Sequence, residues 1–185
     1  MTKQPKANRG PSAGPENRRA LVAAAREIFG ARGADAPLSA VAKRAGVGQG
    51  SLYRHFPDRV ALAAAVFDEN IGELEQLLAG DESGVFELLD GVAEQAAASA
   101  SLFEMVVAHR HDSSLAHLDA RIRDLAERML RNDRSRGTLS ASVDVDDVLL
   151  AVFMMASVLA RTSESERGSV QERARAMFRA AFVAS

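Results

Sequence analysis

An all-α fold of about nine helices is the architecture this sequence predicts. All five prolines (5, 11, 15, 37 and 57) fall in the first third of the 185 residues, and the last 128 positions have none to break a helix. Ala, Leu, Glu and Arg, which are strong helix formers, far outweigh β-branched residues. Apolar positions also recur in steps of three and four along most of the chain.

Residues 1–16 carry three of the five prolines and little that could be buried, so they read as a disordered basic arm. The first helix, NRRALVAAAREIFGARG, places Leu21, Ala24, Ala25, Ile28 and Phe29 on one face and ends at Gly33. PLSAVAKRA makes a short second helix, broken at Gly46, and SLYRHF a short third. Asp58 suits the N-cap of a long fourth helix running to about Leu78. After a turn between Gly80 and Gly84, a fifth helix turns Val85, Leu88, Leu89, Val92 and Ala96 inward, and Leu102–His109 is expected as a separate short sixth. Leu115, Leu118, Ile122, Leu125 and Met129 form the seam of the next helix, which ends at Gly137. On its wet side, Asp119–Arg123, Asp124–Arg128 and Glu127–Arg131 have the spacing of ion pairs. Two last helices, DVDDVLLAVFMMASVLAR and SVQERARAMFRAAFVA, part near Gly168.

Composition narrows the function. There is no cysteine, so disulfides and thiolate metal sites are excluded. No apolar run reaches the length of a membrane span, and no apolar stretch follows the N-terminal lysines, so a cytoplasmic protein without a membrane partner is expected. Charge is unevenly spread. Residues 1–62 hold eleven Lys/Arg against four Asp/Glu, whereas residues 63–185 hold twelve against twenty-one. A basic front on an acidic body suggests that the front meets a polyanion.

The stretch AGVGQGSLYRHFPDR sharpens that expectation. Two short helices joined by a tight glycine turn, behind a third, make a helix-turn-helix. Gly46 can adopt the left-handed conformation of the turn, Ala42 is small where the helices cross, and Val47 fills the angle between them. Gly48 and Gly50 let the backbone approach a phosphate or a base edge, where free N–H groups favour an anion.

Residues 20–62, with Phe29, Gly33, the VAKRAGV and LYRHF runs and basic Arg59 in register, resemble the DNA-binding segment of the tetracycline-repressor (TetR) family of transcription factors. Gly48 stands where that family more often has a Ser or Thr cap, Pro37 where Ser or Thr often opens the second helix, and Arg59 where lysine is usual. The resemblance implies a recognition helix over about Gln49 to His55. Gln49 and Ser51 would reach bases or nearby phosphates, Tyr53 and His55 would donate to phosphates, and Arg59 would hold another. Arg18, Arg19, Lys43, Arg44 and Arg54 are further candidates for the DNA backbone, as is the basic arm with Lys3, Lys6 and Arg9. Residues 17–62 would thus be the DNA-binding domain, and residues 63–185 a domain for effector binding and dimerisation.

Palindromic DNA sites require a twofold dimer. The segment VLLAVFMMASVLA is apolar nearly all round and needs cover on both sides. Val152, Met155 and Leu159, with Ala174, Met177, Phe178, Ala181 and Phe182 of the last helix, are the candidate dimer interface. As the resemblance implies, the middle helices would enclose an effector pocket, with Phe67, Ile71, Phe86, Phe103, Met105, His109, Met154 and Met155 as candidate lining. The expected protein is a transcriptional repressor that a small molecule releases from double-stranded operator DNA, with no cofactor. Two alternatives remain at this stage. One is a DNA-binding regulator without a ligand. The other is a metal protein or enzyme built on AHRHDSSLAH, but His109, His111, Asp112 and His117 lack the i,i+4 spacing of a helical metal pair.

Overall fold

The computed structural model describes residues 14–183, apart from 110, 111, 113 and 114 and the side chains of 97–99. The basic arm with Lys3, Lys6 and Arg9 lies outside the described residues. The described chain is all-α, with eight α-helices: α1 (Gly14–Arg32), α2 (Leu38–Ala45), α3 (Gln49–His55), α4 (Arg59–Leu77), α5 (Val85–Ala108), α6 (Ala116–Arg136), α7 (Val145–Ala160) and α8 (Arg167–Phe182). Three boundaries differ from the sequence reading. Residues 14–16 open α1 instead of closing the arm, because proline is tolerated in a first helical turn. Leu102–Ala108 continues α5, with His109 as its C-cap, since nothing between Ala96 and Leu102 breaks a helix. Gly168 lies inside the first turn of α8 and does not precede it.

Local chemistry sets the ends. Gly33, Gly46 and Gly137 have positive φ, the left-handed geometry that ends a helix without a Cβ clash. At Gly46 (φ 68°), the amide donates to Ala42 and Lys43 while the Val47 amide returns to the Ala42 carbonyl at 3.0 Å, fixing the angle between α2 and α3. Asp58 caps α4 by accepting from the Ala61 amide at 2.8 Å. Asp58→Ala should therefore destabilise the protein by about 1 kcal/mol in a denaturant melt.

Two principal apolar clusters organise the packing. The first joins α1, α2 and α3 to the front half of α4 and to Leu102, around Phe29, Leu21, Val41, Leu52, Phe56 and Leu62. The second joins the rear of α4 to α5, α6, α7 and α8, around Leu88, Leu89, Met129, Met155 and Leu159. Helix α4 belongs to both, and so does α5 through Leu102.

Polar ties brace the body. Arg121 of α6 grips α4, with Nε and Nη2 on the Glu75 carboxylate at 3.1 and 2.6 Å and Nη1 on Asp68. The Glu75 hydrogen bonds hold its guanidinium more firmly protonated than usual. Asp133, 5% exposed, accepts from the Val85 amide at 2.7 Å and the Thr138 hydroxyl at 2.6 Å, and pairs with Arg136 at 2.8 Å. The α6 ion pairs expected within one helix are mostly replaced by longer-range ones. Glu127–Arg131 forms at 3.6 Å, but Arg123 reaches Asp146 of α7 at 2.8 Å and Arg128 turns to the Glu75 carbonyl.

Candidate nucleic-acid interface and effector cavity

Helix α3 is fastened by its apolar side and presents its polar side. Leu52 is 1% exposed and Phe56 2%, both within the first cluster, whereas Tyr53 is 54% exposed. Gly48, Gln49 and Gly50 are also exposed, at the start of α3. The amides of Ser51 and Leu52 both return to the Gly48 carbonyl, at 2.9 and 3.0 Å. The amides at the very start of a helix have no acceptor within it.

The fold itself does not demand glycine at 48 or 50. Neither has positive φ, and a Cβ built on either would meet nothing within 4 Å. The missing side chains leave space outside the protein and relieve no crowding within it.

The cationic residues are held in different ways. Lys43 is exposed on α2. Arg18 lies over the Phe56 ring at 5.2 Å, beside the C-terminal end of α3. Arg44 pairs with Glu27 at 2.7 Å, and Arg54 donates to the Ser51 hydroxyl at 2.7 Å. His55 is half-buried, its ring tilted against Phe56. Arg59 is drawn in more than its sequence position suggests. Its guanidinium sits over Phe29 at 5.6 Å, and its buried Nη1 has no hydrogen-bond partner.

In the body, α4, α5, α6 and α7 line a cavity of about 530 Å³ that is open on one side. Phe67, Ile71 and Phe103 line it, and so does Val152, which the sequence reading placed at a dimer interface. Several other expected lining residues are elsewhere. Phe86 is buried in the second cluster beneath Arg179 (4.8 Å) and Arg175 (5.7 Å), and Met155 is core at 1% exposure. Met105 packs against the first cluster, Met154 faces outward at 43% exposure, and exposed His109 turns its ring to the Met105 carbonyl at 2.8 Å. Sequence periodicity missed Asn70 and Gln95, the polar groups of the wall between α4 and α5. Each lies one helical turn from core positions, Asn70 from Val66 and Leu74 and Gln95 from Val92, which was the available signal.

A short polar chain leaves that wall. Gln95 Nε2 donates to the Asn70 carbonyl at 2.8 Å. The Asn70 side-chain oxygen accepts from Arg26 Nη2 of α1 at 2.7 Å, and Arg26 Nη1 pairs with Glu73 at 2.8 Å. Burial pushes the neighbouring Glu69 carboxyl above the usual range, against the pull of Arg26 and Arg18. The folded state therefore holds this proton more tightly than the unfolded chain, and its contribution to stability falls as pH rises through that window.

The dimer candidates divide similarly. Met155 and Leu159 are core, at 1% exposure each, and Phe182 is buried, while Ala174 and Phe178 pack partly against the core. Met177 is 63% exposed, and Ala181 is exposed. The uncovered apolar face of α7 is instead Leu150, Phe153, Met154 and Val158. An all-round apolar helix gives no sign of which side turns inward, and that misplaced the face. Among the described residues, no three His, Cys, Asp or Glu side chains are grouped to hold a metal. His117 lies 3.7 Å from Asp68, and His111 is outside the described residues. No helix among them is long and apolar enough to cross a membrane.

A three-helix unit whose third helix exposes its polar side, joined to a larger helical body, is the architecture of a helix-turn-helix DNA-binding regulator. Residues 21–66 match the model for bacterial regulatory proteins of the tetR family. The fold agrees with a TetR transcription regulatory protein from Mycobacterium vanbaalenii at 27% identity and TM-score 0.63, over 80% of this chain and 95% of that one. It also agrees with the TetR transcriptional regulator SCO0520 from Streptomyces coelicolor at 24% identity and TM-score 0.63, over 91% and 99%. SmeT, the repressor of the Stenotrophomonas maltophilia multidrug efflux pump SmeDEF, shares the fold at 19% identity and TM-score 0.60, over 91% of each chain. No curated protein matches the chain. Residues 21–66 thus carry a DNA-binding domain of the tetR family, and the chain as a whole is similar to TetR transcription regulators.

Proposed function

We propose that this regulator is a cytoplasmic homodimeric repressor, released from a palindromic operator when a small molecule fills the cavity. The observation that carries the reading is α4. One unbroken helix runs from its Asp58 cap, just after the reading helix, to the cavity wall at Phe67, Asn70, Ile71 and Leu74. A guest that displaces this wall would move the helix on which the DNA-binding unit is seated. The Arg26–Asn70 hydrogen bond ties α1 to the same point. The cavity favours this reading over a regulator without a ligand, which would be better served by a filled body.

In this reading, residues 17–62 bind DNA and residues 63–185 bind the effector and dimerise. Gln49 and Ser51 read base edges or adjacent phosphates. Tyr53, His55, Arg18, Lys43, Arg44, Arg54 and Arg59 engage the backbone, which Gly48 and Gly50 allow to come close. The exposed faces of α7 and α8, with Leu150, Met154, Val158 and Met177, meet their copies in the partner. Selection from a randomised duplex library should recover an inverted repeat, its half-sites about one helical turn (~34 Å) or a multiple apart. Recovery of no consensus would contradict the reading.

Gly50→Ala separates fold from function. Alanine has open space there and should stabilise α3 by roughly 0.5–1 kcal/mol. The same methyl group should lower operator affinity, measured by anisotropy alongside a melt.

A further inference from the structure

We infer that the cavity takes an uncharged, largely apolar molecule carrying a hydrogen-bond donor, which is received by the amide oxygen of Gln95. This inference rests on the effector-binding reading above and names the chemistry of that site. The volume, about 530 Å³, falls within the range of sites for small organic ligands.

Most of the wall is hydrocarbon. Phe67, Phe103 and Phe153 run along it as a ladder of tilted rings, with centroids 6.4 and 6.2 Å apart. Such a surface rewards burial of an apolar guest and offers nothing to an anion. The charged residues in the lining are Asp119 and Arg123, both exposed on α6. Arg123 is already engaged by Asp146 at 2.8 Å, so it is not a free counter-ion for an acid. A cation driven inward toward the aromatic ladder would leave Asp119 behind at the exposed edge.

The inner polar groups select among neutral guests. Asn70 is 3% exposed, its side-chain oxygen is held by Arg26, and its carbonyl is held by Gln95 Nε2. That bond orients the Gln95 amide and leaves its oxygen without a partner among the described residues. An oxygen accepts, so the guest must donate. A carboxylate brought here would face that oxygen and be repelled, and an ammonium would shed its hydration for one neutral dipole and the faces of phenyl rings.

The test uses Nile red as a fluorescent reporter on the purified full-length chain. It is displaced at pH 7 by 1-decanol, decanoate, decylammonium and 1-methoxynonane, four molecules of similar length. Decanol should displace the dye at a concentration about tenfold or more below each of the others, and Gln95→Leu should erase its advantage over the ether. Preference for decanoate or decylammonium would overturn the inference while leaving the effector-binding reading in place. An alcohol preference that survives Gln95→Leu would overturn the role of Gln95. Ala96→Trp and, separately, Val152→Phe fill the cavity from two helices, and each is checked for folding by its melt. If Nile red does not bind, or binds folded filled variants unchanged, the effector-binding reading falls and the inference with it.

Discussion

Replacing both Gln49 and Tyr53 with alanine is expected to lower operator affinity at least about a hundredfold without lowering Tm. A hydrogen bond to a charged group contributes roughly 1.5–3 kcal/mol, about tenfold or more, and the proposed twofold dimer would lose each contact twice. Stability should hold because the fastening of α3 lies on its other side, in Leu52 and Phe56, while Gln49 and Tyr53 are exposed. Lys43→Ala should act differently. It removes charge without base contact, so it should weaken all sequences alike and flatten the slope of log affinity against log salt by about 0.9 per phosphate lost in each protomer. Anisotropy over a salt series separates the two effects. If the double variant binds like the parent, α3 is not the reading helix.

Asp133→Ala is expected to be the most destabilising single change outside the apolar clusters, at about 3 kcal/mol in urea unfolding at fixed protein concentration. The carboxylate is almost fully buried and satisfies the Val85 amide, the first residue of α5, from another helix altogether. It also accepts from the Thr138 hydroxyl and neutralises Arg136. Truncation leaves a buried N–H without an acceptor and a cation without its partner. Asp133→Asn should recover part of the loss, because one amide oxygen can still accept from Val85. A cost near zero would mean that water replaces the carboxylate, and that α5 is not fixed from α6.

The helix-turn-helix was legible because its constraints are local. A left-handed residue is needed at Gly46, a small one at Ala42 and apolar ones at Leu52 and Phe56, and each requirement shows in the residue type. The body was legible only as helices. Whether Met154 or Met155 faces inward depends on how α7 is rotated against α5 and α6, and both residues are equally apolar. The continuation of α5 through Leu102 has a local basis, since the stretch between Ala96 and Leu102 is mostly alanine, the best helix former, with no glycine or proline to break it. Asn70 and Asp133 escaped notice for a different reason. Their partners, Arg26 and Val85, lie 44 and 48 residues away. No spacing rule reaches that far.

The central claim is that α3 reads a specific DNA site. Its most direct test is fluorescence anisotropy of the purified chain on the DNA upstream of its own coding sequence, against a scrambled duplex of equal length, over several salt concentrations. Tight binding to the first duplex alone, with a steep salt slope and loss in the Gln49→Ala, Tyr53→Ala variant, is the predicted result. A failure to bind either duplex at low salt would contradict it.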